Sequence, residues 1–269
     1  AARLRPALAG RELVAFEAPR LRGDRPTPGL LIEEVRAVGK HLLVDFDSGL
    51  TLRTHLGMPG SWRLVAAGER WPKPRHLMRA LVVVEGWEAV CFQAPQVETY
   101  RRDRPGGPLG TSRDPLAHLG PDLCVPEPDL DAALARWDAI VEPGTTVAEV
   151  LLDQRVAAGV GNVYKSEILH RWKVDPFVAA GEVPVPVRRQ LLETANRLLL
   201  LNLTTTRRTT VSGPPGSVAA YGRARRPCPR CGTPIRMARH GSLNRSTYWC
   251  PNCQPPGATG QVVRADAAE

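Results

Sequence analysis

Residues 228–253 constrain this 269-residue chain more than any other stretch. Cys228 and Cys231 make one Cys-x-x-Cys turn, Cys250 and Cys253 make a second, and 18 residues separate the pairs. Each turn sets two sulfurs on one side of a metal, and the gap is long enough for a β-hairpin that returns the chain. The spacing therefore fits a four-thiolate ribbon around one structural Zn2+. Gly241 and Asn244 fall at the expected hairpin turn. Arg236, Arg239, His240 and Arg245 lie between the pairs, with no acidic residue from Cys228 to Cys253. A zinc clip on any small domain would account for the cysteines alone. The carboxylate-free run of cations asks for more, because such a hairpin repels itself without an anionic partner. We read it as a metal-pinned hairpin that carries arginine to a phosphate.

The rest of the composition agrees. The net charge is +9 and the isoelectric point about 9.7. That balance favours a polyanion, without separating nucleic acid from an acidic membrane surface. No run of 18 apolar residues exists, so no helix is expected to span a membrane. The opening AARLRPALAGREL is not a secretory signal, since arginines break its apolar stretches. Cys91 and Cys124 show neither metal nor redox spacing and read as core or incidental thiols. The 26 prolines and 24 glycines are scattered, as in a loop-rich globular protein.

In chain order, residues 1–9 have helical character, with Leu4 and Leu8 four apart and Gly10 as the stop. No capping side chain precedes Ala1, which suggests that residues are missing upstream. From Glu12 to about Val90 short β-rich runs alternate with turns such as Pro26-Thr27-Pro28-Gly29 and Asp47-Ser48-Gly49. That rhythm predicts an antiparallel sandwich or barrel. His55–Trp62, HLGMPGSW, interrupts it as a loop carrying Met58, either core filling or an exposed wedge. Residues 101–115 read as a Pro/Gly-rich linker. Beyond it, LDAALARWDAI is amphipathic, and Thr146-Val147-Ala148-Glu149 is a capping box opening VAEVLLDQRVAA. Gly159-Val160-Gly161-Asn162 breaks that helix, NVYKSEILHRW begins another, and a further helix starts near Pro186. After Pro255 the tail is expected to fray. The fold class is α+β. Its predicted domains are a β-sandwich (1–110), a helical domain (111–222), a zinc finger (223–258) and a flexible tail (259–269).

Three residues outside the cysteines carry candidate chemistry. Asn162 opens a helix whose free amides and positive dipole end make an anion site. The alternative is a simple Asn-capped turn, and Lys165 and Arg171 then read as a solvated helix face. Lys40, in Val38-Gly39-Lys40-His41, precedes an apolar strand and alone would be a surface lysine. Arg245 offers a bidentate fork that suits phosphate better than a lysine would.

Four stretches, in this order, resemble the formamidopyrimidine-DNA glycosylase / endonuclease VIII family of base-excision repair enzymes. They are GKHLLVDF with HLGMPGSW, then DQRVAAGVGNVYKSEIL, then the Tyr221-Gly222 approach, then the hairpin ending RSTYWCPNCQ. The resemblance implies a clamp of a β-sandwich and a helix–two-turn–helix domain with a zinc finger. Such a clamp closes on damaged double-stranded DNA with the lesion flipped out. It implies that Lys40, Asn162 and Arg245 hold phosphate around the lesion. Met58 would fill the gap left by the flipped base, offsetting part of an unstacking cost of roughly a few kcal/mol. It also implies a monomer working in the bacterial cytoplasm, at the nucleoid.

The departure is at the start. The family's nucleophile is an N-terminal proline followed by glutamate. Its amine attacks C1′, releases the base and becomes the iminium that drives strand cleavage. An α-amine, with pKa about 7.7–8.0 against about 10.4 for lysine, is more often free base near neutral pH. The sequence here opens Ala1-Ala2-Arg3, and Glu12 and Glu17 are poor substitutes because they fall in or beside the following strand. The expectation is a chain shortened by one to two helical turns that binds DNA but has little glycosylase activity as it stands. The alternatives are a non-catalytic damaged-DNA-binding protein of the same fold and an unrelated RNA-binding zinc ribbon. The short loop between about Val211 and Tyr221 favours oxidised pyrimidines over oxidised purines.

Overall fold

Apolar alternation and tight turns build the first of two compact units, Ala1–Ala117 and His118–Glu269, in the computed structural model. The structure describes residues 1–57, 59–102, 115–205 and 207–261. Met58 and most of the predicted linker, with the 110/111 boundary, lie outside the described residues.

The first unit carries a short helix, α1 (Arg5–Leu8), and eight strands: β1 (Ala15–Glu17), β2 (Ile32–Val38), β3 (His41–Phe46), β4 (Leu50–His55), β5 (Ser61–Ala66), β6 (Met78–Val84), β7 (Trp87–Phe92) and β8 (Gln96–Arg101). They form two four-stranded antiparallel sheets, ordered β1-β6-β7-β5 and β2-β3-β4-β8. Ile32, Val35, Val44, Phe46 and Leu52 from one sheet share a core with Phe16, Ala80, Val82, Val84 and Cys91 from the other. This is the expected sandwich. Leu8 of α1 and Leu4 just before the helix join that core, and Gly10 at φ +75° ends the helix as foreseen. Two strands were not foreseen. The HLGMPGSW loop is shorter than read, because Ser61 and Trp62 pair with Phe92 and Cys91. QVETYR is a strand because it pairs along the whole of β4. QVETYR is too polar to announce itself, and SWRLVA is masked by the Gly-Pro-Gly loop it follows; cross-strand partners decide both.

The second unit packs α2 (Leu130–Ile140), α3 (Val147–Val150), α4 (Asn162–Arg171) and α5 (Val185–Leu201) around Trp137, Ile168, Leu169 and Leu191, all fully buried. The α3 capping box is present, with Thr146 accepting from Glu149 N and Glu149 accepting from Thr146 N. The helix runs for only four residues, shorter than VAEVLLDQRVAA allows. Tertiary pairing stops it: Gly120 N donates to Gln154 O at 2.8 Å and Ala158 N to Pro121 O at 2.9 Å. Those carbonyls and amides are lost to an α-helical ladder. The hairpin β9 (Arg236–His240) and β10 (Arg245–Trp249) completes the unit, with Gly241 (φ +71°) and Asn244 (φ +47°) at its turn. The segment after Pro255, expected to fray, is pinned as far as Thr259. Asp175 N donates to Ala258 O at 2.7 Å, and Thr259 bridges Val174.

Candidate zinc centre and nucleic-acid interface

Cys228, Cys231, Cys250 and Cys253 bring their sulfurs within 4.8 Å of one another. The separations that close the cluster are 3.4 Å (Cys231–Cys250), 3.4 Å (Cys231–Cys253) and 4.0 Å (Cys228–Cys253). A tetrahedron with Zn–S of about 2.3 Å has S–S edges of about 3.8 Å, so the donor set fits zinc. Hydrogen bonds from Thr233 and Asn252 hold Cys231 down to about 5, whereas burial pushes Cys250 up and Cys253 up to about 12; a bound cation would favour the thiolate at all four. The other two cysteines stand apart from this set: Cys91 is buried in the sandwich, where desolvation pushes its thiol up to about 12. Cys124 packs in the helical unit beside Gly159.

The zinc module lies along α4 from end to end. At the start of the helix, the Asn162 Nδ2 hydrogens go to Ser246 O (2.7 Å) and Ser246 Oγ (3.0 Å) of β10. Lys165, which the alternative reading put on a solvated face, is 1% exposed. Its ammonium donates to Asn162 Oδ1 (2.8 Å), Thr247 Oγ1 (2.8 Å) and Ser246 O (3.2 Å), which uses all three hydrogens. In mid-helix Tyr248 N donates to Ser166 Oγ at 3.4 Å. At the last turn Arg230 donates to His170 O (2.9 Å) and Arg171 O (3.1 Å), and Cys228 Sγ meets His170 Nε2 at 3.2 Å. Burial pushes the His170 ring down to about 4.

This geometry revises one expectation. The Asn162 side chain does not stand free beside the helix amides; it ties the hairpin to the helix. What the start of α4 offers an anion is its first-turn backbone N–H groups, which have no intrahelical acceptor, and the cations beside them. Arg245 is exposed, and among the described residues its guanidinium has no hydrogen-bond or ion-pair partner. Its charge and, above all, burial hold Lys165 down to about 8. Asn162, Lys165 and Arg245 are thus one basic corner of the second unit.

The glycine before the helix is required for two reasons. Gly159 sits at φ +115°, and a Cβ there would meet Leu199 Cδ1 at 3.1 Å and Cys124 Sγ at 3.2 Å. Lys40 belongs to the first unit. It follows Gly39 (φ +54°) in the β2–β3 turn, close enough to His55 for its charge, after burial, to push that imidazole down. His55 meets His41 with ring centroids 5.0 Å apart and planes tilted by 41°.

Sequence reasoning passed over two buried groups of α4 altogether. Glu167, 3% exposed, accepts from Thr210 Oγ1 (2.5 Å), Ala219 N (2.7 Å), Ala220 N (2.8 Å) and Tyr221 N (2.7 Å). It anchors both ends of the short Val211–Tyr221 loop. His170 is the other. The period of α4 could not have flagged them, because the helix is buried all round from Tyr164 to His170 and shows no exposed stripe.

An antiparallel sandwich, a glycine-kinked helix pair and a four-cysteine hairpin locked to the second helix define a zinc-ribbon helix–two-turn–helix protein. Three family profiles match: the formamidopyrimidine-DNA glycosylase N-terminal domain over residues 1–102, the formamidopyrimidine-DNA glycosylase H2TH domain over 119–212, and the zinc finger found in FPG and IleRS over 226–256. A Streptomyces coelicolor protein described as a probable endonuclease 8 2 is 40% identical over 271 residues, covering 97% of this chain and 95% of its own. The DNA-(apurinic or apyrimidinic site) lyase Nei2 of Mycolicibacterium smegmatis is 35% identical, covering 94% and 95%. The solved structure of MutM (Fpg) from Thermus thermophilus superposes with a TM-score of 0.73 at 29% identity over 96% of each chain. Lactococcus lactis Fpg, in complex with DNA containing an abasic site, shares the fold at 20% identity, with a TM-score of 0.75 over 94% of this chain and 96% of its own. The chain belongs to the formamidopyrimidine-DNA glycosylase / endonuclease VIII family, on the side of the relatives named endonuclease 8 and Nei2. Its zinc is structural.

Proposed function

We propose that this protein grips damaged duplex DNA at the phosphates around a lesion, removes an oxidised pyrimidine and cuts the abasic site that results. Glycosylase and abasic-site lyase chemistry belongs to the family. The observation that carries the binding reading is the corner where Asn162 and Lys165 meet the hairpin beside the exposed Arg245. There the first-turn amides of a helix and an exposed guanidinium can meet one anion, while the buried Lys165 ammonium, its hydrogens spent inside the protein, adds only its charge. Lys40 is assigned a second phosphate contact and Met58 the gap left by the flipped base. The working form is a monomer in the bacterial cytoplasm, at the nucleoid.

Arg245→Ala should weaken binding to an abasic-site duplex by about 1–3 kcal/mol, read by fluorescence anisotropy, if the guanidinium holds phosphate through charge-assisted hydrogen bonds. Unchanged affinity at low salt removes Arg245 from the interface. Borohydride trapping on the same duplex separates binding from chemistry. The full-length natural protein should form the covalent adduct; tight binding without an adduct overturns the lyase reading.

A further inference from the structure

The last turn of α4 meets the zinc cluster with an imidazole. His170 is 3% exposed, and its Nε2 lies 3.2 Å from Cys228 Sγ. The ring stands outside the four thiols that lie within mutual reach of one ion, so it is no fifth ligand. Its placement is fixed from two directions. Arg230, inside the Cys228–Cys231 knuckle, holds the carbonyls of His170 and Arg171. Helix packing buries the ring, with Ile168 and Leu169 in the core on the same turn.

The chemistry then leaves one arrangement. A zinc-bound thiolate accepts hydrogen bonds and cannot donate them. Four thiolates around one dication carry a net double negative charge, and Cys228 and Cys250 are 2% and 0% exposed, so water cannot neutralise it there. Donors from the protein have to. We infer that His170 is the outer-sphere partner of the metal: its Nε2–H donates to the Cys228 thiolate and so fastens the zinc site to the helix–two-turn–helix. The other end of the same helix carries Asn162 and Lys165, so the metal and the basic corner are held in register by one rigid element. This inference rests on the zinc site and not on the reading of the DNA interface.

Two measurements test it. In the wild-type chain loaded with 113Cd, long-range 1H–15N spectra should place the His170 proton on Nε2, with scalar coupling from that proton to cadmium through the Cys228 sulfur. A proton on Nδ1, or no coupling, overturns the assignment. The second follows zinc transfer to a colorimetric chelator from the full chain. His170→Phe, which removes the donor, should release zinc on the order of 10-fold faster, as second-shell losses typically do. His170→Gln, which keeps an N–H, should fall closer to wild type. A cavity of about 220 Å3 borders His170, between Leu198, Thr210 and Arg230, and leaves space for the phenyl ring. Wild-type release rates in both variants refute the role. Should His170→Phe fail to fold, the wild-type spectra alone decide.

Discussion

The sandwich and the zinc hairpin solve the same problem by opposite means. The sandwich buries a wide apolar core, with Ile32, Val35, Phe46 and Leu52 facing Ala80, Val82 and Cys91 at or near zero exposure. Each large side chain so buried contributes about 1.5–3 kcal/mol, and no metal is needed. Among the described residues the zinc module has a fully buried core of Ala220, Cys228, Ile235 and Cys250, with Tyr248 and Cys253 packed against it. Two of those four are thiols in the zinc set. A module that small relies on metal ligation and on polar clamps to α4. The difference teaches where each unit is vulnerable: the sandwich to lost volume, the hairpin to lost ligands and lost register.

The sharpest way to break that contrast is to remove the metal. Chelation should unfold the hairpin and abolish DNA binding while the sandwich keeps its near-native β signal, since structural zinc supplies roughly 10–16 kcal/mol in isolated fingers. A single transition in which both units melt together would show that the contrast is false. The reverse perturbation is Phe46→Ala. It should cost about 3–5 kcal/mol in the sandwich and leave zinc affinity unchanged, measured by denaturant titration beside a chelator assay. Gly159→Ala probes the hinge ahead of α4. A positive φ and contacts at 3.1 and 3.2 Å should together cost about 1–3 kcal/mol, read as a lower melting midpoint of the helical unit.

The smallest effect is a pH dependence. Lys165 is held down to about 8, and a nearby phosphate raises it again, so binding takes up a proton. Affinity for DNA should therefore fall as pH rises through about 8. Lys165→Met should bind more weakly at neutral pH and lose that slope; a slope that survives the substitution assigns it elsewhere. Folding carries the opposite sign. The folded-state pKa lies below the unfolded one, so between about 8 and 10.5 the unfolded chain binds more protons and stability rises with pH.

Several elements were legible because their signal is local. The Thr146–Glu149 capping box lies within one turn, the Gly241 and Asn244 turn within four residues, and α2 and α5 announce themselves by their period. The strands QVETYR and SWRLVA were not legible, because their partners supply the pairing. The short α3 was misread for a related reason: its continuation gives its backbone groups to Gly120, Pro121 and Leu123. The candidate site divides the same way. The cysteines and Arg245 could be named from spacing and charge, whereas the state of Lys165 depends on Thr247, 82 residues away.

The sequence by itself determined that a four-thiolate ribbon, a glycine-kinked helix pair and an antiparallel β unit would form. Each follows from spacing, turn chemistry or alternation within a short window. Only the tertiary structure decided that one face of α4 is consumed by the ribbon. It spent the Asn162 amide on Ser246, enclosed the Lys165 ammonium and set His170 against a cysteine 58 residues away. Burial and partner choice are properties of surfaces brought together from distant parts of the chain. They set which charges keep their water, and so which are left for DNA.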